Sequence, residues 1–309
     1  MQTRATKFCV LDALGNTPLV ELVNLNSNPK VRILVKLEGS NPGGSVKDRP
    51  AHYMIRGAEE TGELTKDKTI VEPTSGNMGI ALAMIGAAKG YRVKLFMPEC
   101  VSVERRLILE ALGAEVILTP SKTGTDGAIE AACRVVGEEP KKYYMPNQFD
   151  NESNALAHYE TTAPEIFSQT AGEIDVFVAG MGTTGTLMGV GRYIKERNAA
   201  TKVIGVEPTE CHTIQGLKNM HESIVPKIYR PELLDEKAVV EDGEAFEISR
   251  LLATKEGLFV GMSSGAAVSV ALGMAADINN GTIVVILPDR GERYLSTTLF
   301  RSICAKCPP

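Results

Sequence analysis

The chain has 309 residues, which is enough for about two domains with a hydrophobic core that needs no disulfides. Its 33 basic and 38 acidic side chains give a formal net charge of -5, and the lack of a basic excess argues against a nucleic-acid binder. Glycine is over-represented, with 29 residues, so we expect the backbone to turn sharply or to approach a ligand at several places.

No apolar run approaches the roughly 18 residues that a transmembrane helix needs, and residues 1–14 lack the pattern of a secretory signal. The six cysteines are Cys9, Cys100, Cys133, Cys211, Cys304 and Cys307. Disulfide frameworks are typical of short secreted chains, so we interpret these cysteines as buried small side chains or free thiols in a reducing compartment. We therefore expect a cytoplasmic protein that acts on small molecules, with no membrane and no nucleic-acid partner.

Short runs of β-branched residues alternate with amphipathic segments of helical length along most of the chain. The predicted strands are Val31–Leu37, Thr69–Val71, Val93–Met97, Val116–Thr119, Val176–Ala179, Val203–Val206 and Thr282–Leu287. The predicted helices are Asp48–Glu60, Gly79–Lys89, Val103–Leu112, Gly127–Val136, Glu244–Lys255 and Ala266–Ile278. Several of the strands are continuously apolar, as in strands buried on both faces. This alternation predicts an α/β fold with mostly parallel sheets.

Two stretches interrupt the alternation. Residues 209–241 lack helix signals, and a loop of this length within a compact domain usually has a function. The polar, turn-rich stretch Tyr143–Asn154 places a domain boundary near residue 150. The last residues, Arg301–Pro309, are expected to fray.

The first of three informative strand-to-helix junctions is Gly39–Arg49. Ligands of open α/β sheets bind where strands lead into helices. Here a strand ends in a Gly-rich turn, with Ser45 as the candidate N-cap and Lys47 in the first helical turn. A cation is unusual at a helix N-terminus. The alternative interpretation is a solvated lysine whose charge is offset by Asp48.

The second junction, Glu72–Gly79, again leads from a strand through a small polar loop into a helix. Its backbone N–H groups and the side chains of Thr74, Ser75 and Asn77 form a donor set that fits a carboxylate. An ordinary helix cap is the alternative.

The third junction, Val176–Thr186, leads from an apolar strand into a Gly/Thr loop that opens a helix, a pattern typical of phosphate binding. Gly180, Gly182 and Gly185 also match G-x-G-x-x-G, and Glu207 ends the next strand about 20 residues on, as the dinucleotide fingerprint requires. An NAD-dependent dehydrogenase is therefore a rival hypothesis. Against it, the three threonines of the loop suit hydroxyl contacts to a phosphate monoester.

The remaining motifs are less specific. A fourth loop, Val260–Ala266, precedes a helix of small residues and by itself indicates a close-packed N-cap. Cys304 and Cys307 form C-x-x-C, but no second pair accompanies them. The histidines, which show neither metal nor triad spacing, are His52, His158, His212 and His221. We predict no metal site.

Together the loops resemble those of the fold-type II pyridoxal-phosphate (PLP) enzymes, and most closely the cysteine synthases, or O-acetylserine sulfhydrylases. The resemblance runs from Gly15–Leu19 to Arg290–Thr297 and includes Gln148–Asn151 and Thr161–Glu165. The segment Met97–Arg106, together with a phosphate loop that reads GTTGT, favours the B-type branch.

The resemblance implies an α/β fold of two doubly wound domains with mostly parallel sheets, similar to tryptophan synthase β. Residues 1–46 with 151–309 would form the larger, cofactor-binding domain, and residues 47–150 the smaller, mobile substrate-loop domain. It also implies a homodimer, with serine acetyltransferase or a sulfur-carrier protein as candidate partners.

The same resemblance implies roles for individual residues. Lys47 would form the internal Schiff base with PLP, Asn77 would bond the ring hydroxyl, and Ser263, or the adjacent Ser264, would face the pyridine nitrogen. The residues that would hold the phosphate are Gly182, Thr183, Thr184, Gly185 and Thr186. The residues that would receive the substrate carboxylate are Thr74, Ser75, Asn77, Met78 and Gln148. Met78 stands where many relatives carry threonine, so one hydroxyl of this loop is replaced.

The implied reaction is a β-replacement that makes L-cysteine from an O-activated serine and sulfide through an aminoacrylate. Lys47 would act as the base at Cα, and the neutral Ser263 would not keep the pyridine nitrogen protonated, which favours β-elimination. O-acetylserine is the expected substrate. The alternatives are O-phosphoserine, bound through Lys218, and the cystathionine β-synthase and threonine dehydratase reactions. The alternative interpretation of Lys218 is a solvated loop lysine with no role in substrate binding.

Overall fold

The computed structural model describes residues 8–74 and 76–300. The strands are β1 (Leu19–Glu21), β2 (Val31–Leu37), β3 (Thr69–Pro73), β4 (Arg92–Pro98), β5 (Glu115–Thr119), β6 (Tyr143–Tyr144), β7 (Val176–Gly180), β8 (Lys202–Pro208), β9 (Glu236–Val240) and β10 (Gly281–Leu287). The α-helices are α1 (Asp48–Thr61), α2 (Asn77–Lys89), α3 (Val103–Ala111), α4 (Gly124–Glu138), α5 (Ser153–Ala157), α6 (Ala163–Gln169), α7 (Gly185–Lys195), α8 (Asp242–Glu256) and α9 (Met262–Asp277). One π-helical turn, His158–Thr162, joins α5 to α6. The 3-10 helices are Val10–Ala13, Glu38–Ser40, Ser121–Thr123, Pro231–Leu233 and Gly291–Tyr294.

The larger sheet has six strands in the order β1-β2-β10-β7-β8-β9. β1 pairs antiparallel with β2, and the other neighbours are parallel. Side chains of β10 alternate between two cores: Ile283 and Val285 pack with α8 and α9, whereas Val284 and Ile286 pack with α6 and α7. Because both faces are buried, the central strands are apolar throughout.

The smaller sheet has four parallel strands in the order β5-β4-β3-β6. On one face Ile70 and Leu95 pack with α1, α2 and α3. On the other face Val71 and Phe96 pack with α4. Helices therefore cover both faces of both sheets, which confirms the predicted α/β class with two doubly wound, mostly parallel sheets.

The predicted strands and helices are all present, with ends that differ by a few residues. The expectation of a loop throughout residues 209–241 is wrong at its end, where β9 forms the edge of the larger sheet. β9 buries only its last residue fully, so its sequence lacks the apolar run that marks a central strand. The sequence pattern also did not predict β1 or the helices α5 and α6.

The first turn of α1 differs in detail from its prediction. α1 begins at Asp48, and Lys47 is the N-cap residue, not a residue of the first turn. The Lys47 carbonyl accepts the first helical hydrogen bond, from the Ala51 N–H at 3.0 Å. Ser45 is not the N-cap, because it lies two residues before Lys47, and its Oγ accepts the Lys47 N–H at 3.2 Å.

Within residues 8–74 and 76–300, no helix is long and apolar enough to span a bilayer. The cysteines in this part of the chain are free and exposed, and they are Cys9, Cys100, Cys133 and Cys211. Cys304 and Cys307 lie outside the described residues.

Candidate active site

A cavity of about 560 Å³ lies where strands of both sheets end. Its walls include Pro73 and Pro98 at the carboxyl ends of β3 and β4, and Gly180 and Ile286 at the carboxyl ends of β7 and β10. The carboxyl edge of an open parallel sheet is where such folds bind ligands. Here two such edges share one cavity.

The cavity collects most of the residues that the sequence marked as functional. Those that line it are Lys47, Thr74, Asn77, Met78, Gln148, Gly182, Thr183, Thr184, Thr186, Lys218 and Ser263. Gly185 belongs to the same loop but does not line the cavity. Ser75 lies outside the described residues.

Lys47 reaches the cavity from the N-terminus of α1. Its Nζ lies 3.4 Å from Thr183 Oγ1, and the side chain is half-buried, so the alternative of a solvated lysine does not hold. Asp48 does not pair with it, because the Asp48 carboxylate accepts the Gly43 N–H at 2.6 Å. Burial lowers the pKa of Lys47 to about 8, against the opposing charge of Asp289. A lower pKa makes the neutral, nucleophilic amine more abundant at neutral pH.

A buried charge network holds the start of α1 in place. Arg49 donates from Nε to Glu38 at 2.8 Å and from Nη1 to Glu165 at 2.6 Å. Lys36 Nζ completes the network with a 2.8 Å hydrogen bond to Glu165. Two cations and two anions therefore compensate one another away from solvent, which is the condition under which buried charges are tolerated. Because Arg49 is two residues from Lys47, the network anchors the backbone from which the Lys47 side chain extends.

The 74–79 loop caps α2 with a side chain. Thr74 Oγ1 accepts the N–H groups of Gly76 at 3.0 Å and of Gly79 at 3.2 Å. Gly76 has a φ of +141°, and a Cβ there would lie 2.3 Å from Cδ of Arg105, so only glycine fits. Thr74 is therefore a helix cap, as the alternative interpretation had it, and it also lines the cavity. The first turn of a helix leaves N–H groups without intrahelical partners, which favours an anion at such a position.

The loop before α7 has the features of a phosphate site. Thr184, its N-cap residue, adopts a left-handed φ of +66°, a conformation that costs on the order of 1–3 kcal/mol for a non-glycine residue. Within the described residues Thr184 Oγ1 is buried and has no hydrogen-bond partner. A Cβ on Gly182 would lie 2.5 Å from the Gly216 carbonyl oxygen. Strain and an unsatisfied buried hydroxyl are both signs of a site built for a ligand.

Two neighbours orient the other threonines of this loop. Asn154 Nδ2 donates to Thr183 Oγ1 at 3.0 Å, and a Cβ on Gly185 would lie 2.0 Å from Asn154 Oδ1. Thr186 Oγ1 lies 3.3 Å from Nε2 of His158. Burial lowers the pKa of His158 well below its ordinary value, so this ring is neutral. The loop holds no lysine or arginine, and its donors are hydroxyls and helix N–H groups.

The structure distinguishes the two candidate serines of α9. Ser263 lines the cavity, and its Oγ lies 4.0 Å from the position that a Cβ on Gly216 would occupy. Ser264 does not line the cavity, and its Oγ is buried with no partner in the described part of the chain. Ser263 is therefore the serine that a ligand in the cavity can reach.

Gln148 and Lys218 also line the cavity. The Gln148 amide Nε2 donates to the Pro73 carbonyl at 3.3 Å, and its backbone N–H donates to Glu72 at 3.0 Å. Burial raises the pKa of Glu72 to about 7 despite those backbone donors. Lys218 is half-buried, with Nζ 4.5 Å from the centre of the Phe149 ring. Burial lowers the pKa of Lys218, against the opposing charge of Asp126.

Sequence reasoning missed a group of charged residues beside Asn77. Asp289 Oδ2 accepts hydrogen bonds from Asn77 Nδ2 and from the Tyr294 hydroxyl, each at 2.6 Å. Arg293 Nη1 donates to Asn77 Oδ1 at 2.5 Å, and Arg105 Nη2 donates to the Tyr294 hydroxyl at 2.8 Å. Asn77 and Arg105 each lie more than 180 positions before the partners that they bond here. The signal for this group was partial: Arg105, Arg293 and Tyr294 fall within segments that carried the resemblance, whereas Asp289 lies one residue before such a segment.

A model of the family described as "Pyridoxal-phosphate dependent enzyme" matches residues 10–289. The chain belongs to this family. Its members use PLP, so the rival dehydrogenase interpretation of Gly180, Gly182 and Gly185 is rejected.

Known relatives of this PLP-dependent enzyme agree with that assignment. Cysteine synthase B of Pseudomonas aeruginosa is 45% identical over 291 residues, covering 94% of this chain and 97% of that protein. Cysteine synthase A of Escherichia coli is 44% identical over 310 residues, covering 94% of each. The crystal structure of a cysteine synthase from Entamoeba histolytica matches with a TM-score of 0.90 and 41% identity, covering 97% of this chain and 93% of that one. The resemblance to fold-type II cysteine synthases is confirmed.

The residues of the cavity fit PLP group by group. A phosphate monoester matches the α7 N-terminus with the unsatisfied Thr184 hydroxyl. The aldehyde matches the Lys47 amine, whose lowered pKa of about 8 makes the nucleophilic form more abundant than in an ordinary lysine. Asn77 and Ser263, which also line the cavity, supply polar groups for the ring oxygen and the ring nitrogen.

Proposed function

We propose that this protein is a cysteine synthase, which replaces the acetoxy group of O-acetylserine with sulfide to give L-cysteine. The observation that carries the proposal is that one cavity brings together Lys47, the 74–79 loop and the Gly/Thr loop before α7. Each of these has the chemistry that one part of the reaction requires. The relatives named cysteine synthase, at 44–45% identity over nearly the whole chain, support the same assignment.

In this proposal the cofactor is held without a basic side chain at its phosphate. Gly182, Thr183, Thr184, Gly185 and Thr186 bind the phosphate at the positive end of α7. Asn77 donates to the ring oxygen, and Ser263 faces the ring nitrogen. When bound, PLP supplies the electron sink that stabilises negative charge at the substrate Cα.

Lys47 holds the cofactor and moves the proton. Once the substrate amine has taken its place, the free amine of Lys47 removes the proton from Cα. Burial favours the neutral amine that can accept a proton, and the Asp289 charge stabilises the ammonium that results. Acetate leaves from Cβ and sulfide adds there, so one C–O bond is replaced by one C–S bond.

The substrate carboxylate is assigned to the first turn of α2. Thr74, Ser75, Asn77 and Gln148 are its proposed partners, with the backbone donor of Met78 in place of a threonine hydroxyl. Enclosure of this side of the cavity excludes water from the reactive intermediate. We propose that residues 47–150 form the mobile domain that provides this closure, against residues 1–46 and 151–309.

The test is cysteine formation by the purified protein, together with the visible absorption of its bound PLP. The panel contains O-acetylserine or O-phosphoserine with sulfide, and serine with homocysteine for the cystathionine β-synthase alternative. Lys47→Ala should abolish the visible band and lower kcat by about 10²–10⁴-fold or more. Lys142→Ala, a surface lysine paired with Glu139 at 3.1 Å, is the matched control and should change neither. A protein that carries PLP but forms no cysteine from either serine ester would contradict the proposal.

O-phosphoserine is the second candidate substrate, because of Lys218. Its half-buried ammonium lines the cavity, where it can act as a point charge for a phosphate. If phosphoserine is the substrate, Lys218→Ala should lower its kcat/KM by about tenfold or more and leave acetylserine almost unchanged. Lys227→Ala is the control, since Lys227 lies in the same long segment but is exposed and pairs with Asp150 at 2.6 Å. An unchanged phosphoserine rate in Lys218→Ala removes Lys218 from substrate binding.

We further propose that the enzyme is a cytoplasmic homodimer. The exposed free thiols within the described residues are compatible with a reducing compartment. Light scattering of the purified protein measures its oligomeric state. Co-purification with serine acetyltransferase or with a sulfur-carrier protein tests the two partner candidates, and a panel of sulfide, thiosulfate and a thiocarboxylate carrier identifies the sulfur donor.

A further inference from the structure

Asn77 is held between a residue that only donates hydrogen bonds and a carboxylate that accepts them. Arg293 Nη1 donates to Asn77 Oδ1 at 2.5 Å, while Asn77 Nδ2 donates to Asp289 Oδ2 at 2.6 Å. A guanidinium has no acceptor, so the atom that faces Arg293 must be the amide oxygen. The two neighbours therefore define a single orientation of the Asn77 amide.

This orientation determines what the amide offers to the cavity. An asparagine amide has one oxygen and two N–H donors. The oxygen is occupied by Arg293 and one N–H by Asp289, which leaves the second N–H as the group available to a ligand. The positive charge of Arg293 on the amide oxygen also polarises the amide, which strengthens that donor toward a negatively charged oxygen.

Arg293 joins the Asn77 loop to the loop that carries Lys47. Its side chain is buried, with 4% exposure, and its Nη2 donates to the carbonyl of Gly43. A Cβ on Gly44 would lie 2.4 Å from Nη2 of Arg293, and the φ of Gly44 is +80°. The loop has thus folded closely around this guanidinium, just before Lys47.

We infer that Arg293 is a positioning residue for Asn77, which orients and polarises the amide so that an N–H donates to the ring oxygen of the cofactor. The inference rests on the proposed placement of the PLP ring against Asn77. Asp289 supports the same orientation from the other side, and Tyr294 holds Asp289 through the same Oδ2. Arg293 itself touches neither the substrate nor the cofactor in this assignment.

The test is made on the holoenzyme, with two readouts: the absorption maximum of bound PLP, and the rate at which PLP is lost during dialysis. Arg293→Met removes both the charge and the donors. It should shift the maximum and accelerate PLP loss by at least about tenfold, the change expected when one hydrogen bond to a charged group is removed. Arg290→Gln is the matched control, because Arg290 is an exposed neighbour that pairs with Glu292 at 2.8 Å, and it should change neither readout.

A double-mutant cycle separates positioning from general structural support. If Arg293 acts through Asn77, then Arg293→Met should have no further effect on either readout in an Asn77→Ala background. Additive effects, or a wild-type spectrum and rate in Arg293→Met, would overturn the inference. If circular dichroism shows that Arg293→Met is unfolded, the same comparison is made with Arg293→Lys. That variant keeps the buried charge and should give an intermediate rate and spectrum.

Failure of the inference and failure of the proposed function give different results. If Asn77→Ala leaves the spectrum and the PLP loss rate unchanged, the placement of the cofactor against Asn77 is wrong and the inference falls with it. If Asn77→Ala changes both and neither Arg293 variant does, the placement stands and only the role of Arg293 is refuted.

Discussion

Removing the charge of Glu165 should destabilise the protein strongly and make its stability less sensitive to acid. The Glu165 carboxylate accepts hydrogen bonds from Arg49 Nη1 at 2.6 Å, from Lys36 Nζ at 2.8 Å and from the Asn16 N–H at 2.9 Å. Burial by itself would raise the pKa of Glu165, but Arg49 and Lys36 lower it to about 2. Glu165→Gln leaves two buried cations with only Glu38 to balance them.

The magnitude follows from the pKa of Glu165. At about 1.36 kcal/mol per pKa unit, a fall from 4.5 to about 2 corresponds to about 3 kcal/mol of stability at neutral pH. This lies at the lower end of the roughly 3–5 kcal/mol measured when one partner of a buried ion pair is removed. The contribution is present in full above pH 4.5 and is lost as the pH falls toward 2, because the folded protein then no longer holds the carboxylate ionised.

Urea unfolding followed by far-ultraviolet circular dichroism at several pH values between about 7 and 3 measures this effect. The free energy of unfolding of Glu165→Gln should be about 3 kcal/mol below that of the wild type at about pH 7, and the gap should narrow as the pH approaches about 3. Glu60→Gln, which removes an exposed i,i+4 pair with Arg56 at 3.7 Å, should lower it by less than about 0.5 kcal/mol. A gap below about 1 kcal/mol at neutral pH, or a gap independent of pH, would refute the reasoning.

Three further predictions concern the cofactor loops. Thr184→Val removes a buried hydroxyl that has no partner in the described residues. The apoprotein should therefore be at least as stable as the wild type in thermal unfolding, while its affinity for PLP falls about tenfold. Lower stability of the apoprotein would contradict this. In urea unfolding, Gly182→Ala should destabilise the protein by about 1–3 kcal/mol, because its Cβ would meet the Gly216 carbonyl oxygen at 2.5 Å. Gly273→Ala is the control: it lies in the open interior of α9 and should stabilise the protein by about 0.5–1 kcal/mol. Finally, the rate at which the apoprotein combines with PLP should rise with pH, with a midpoint at about 8. The reason is that the neutral amine reacts and burial lowers the pKa of Lys47 to about 8. A midpoint at about 10 would instead indicate a solvated Lys47.

The strands of this fold were predictable because most are central strands of parallel sheets. β10, which is buried on both faces, shows the apolar run that such strands leave in the sequence. β9 left no such signal, because an edge strand has solvent on one side and exposes most of its residues. Its position depends on pairing with β8, which local sequence does not specify.

The loops of the site were also predictable, since each follows a strand and opens a helix with residues of unusual type. Glycine and threonine before α7, and Lys47 before α1, are required by local geometry and by chemistry that a short motif records. Only the assembled structure shows that Ser263 rather than Ser264 reaches the cavity, because the choice depends on how α9 is rotated against the larger sheet.

The sequence by itself determined the α/β class and the loops that line the cavity, because strand periodicity and loop composition are local properties. Tertiary structure alone decided which groups surround Lys47 and Asn77. Arg293 and Asp289 come from the end of the chain, Asn77 lies more than 200 positions before them, and Asn154 reaches Thr183 from another helix. Such contacts depend on how the two sheets are packed, and the charges and hydrogen bonds that tune the site arise only when that packing brings distant residues together.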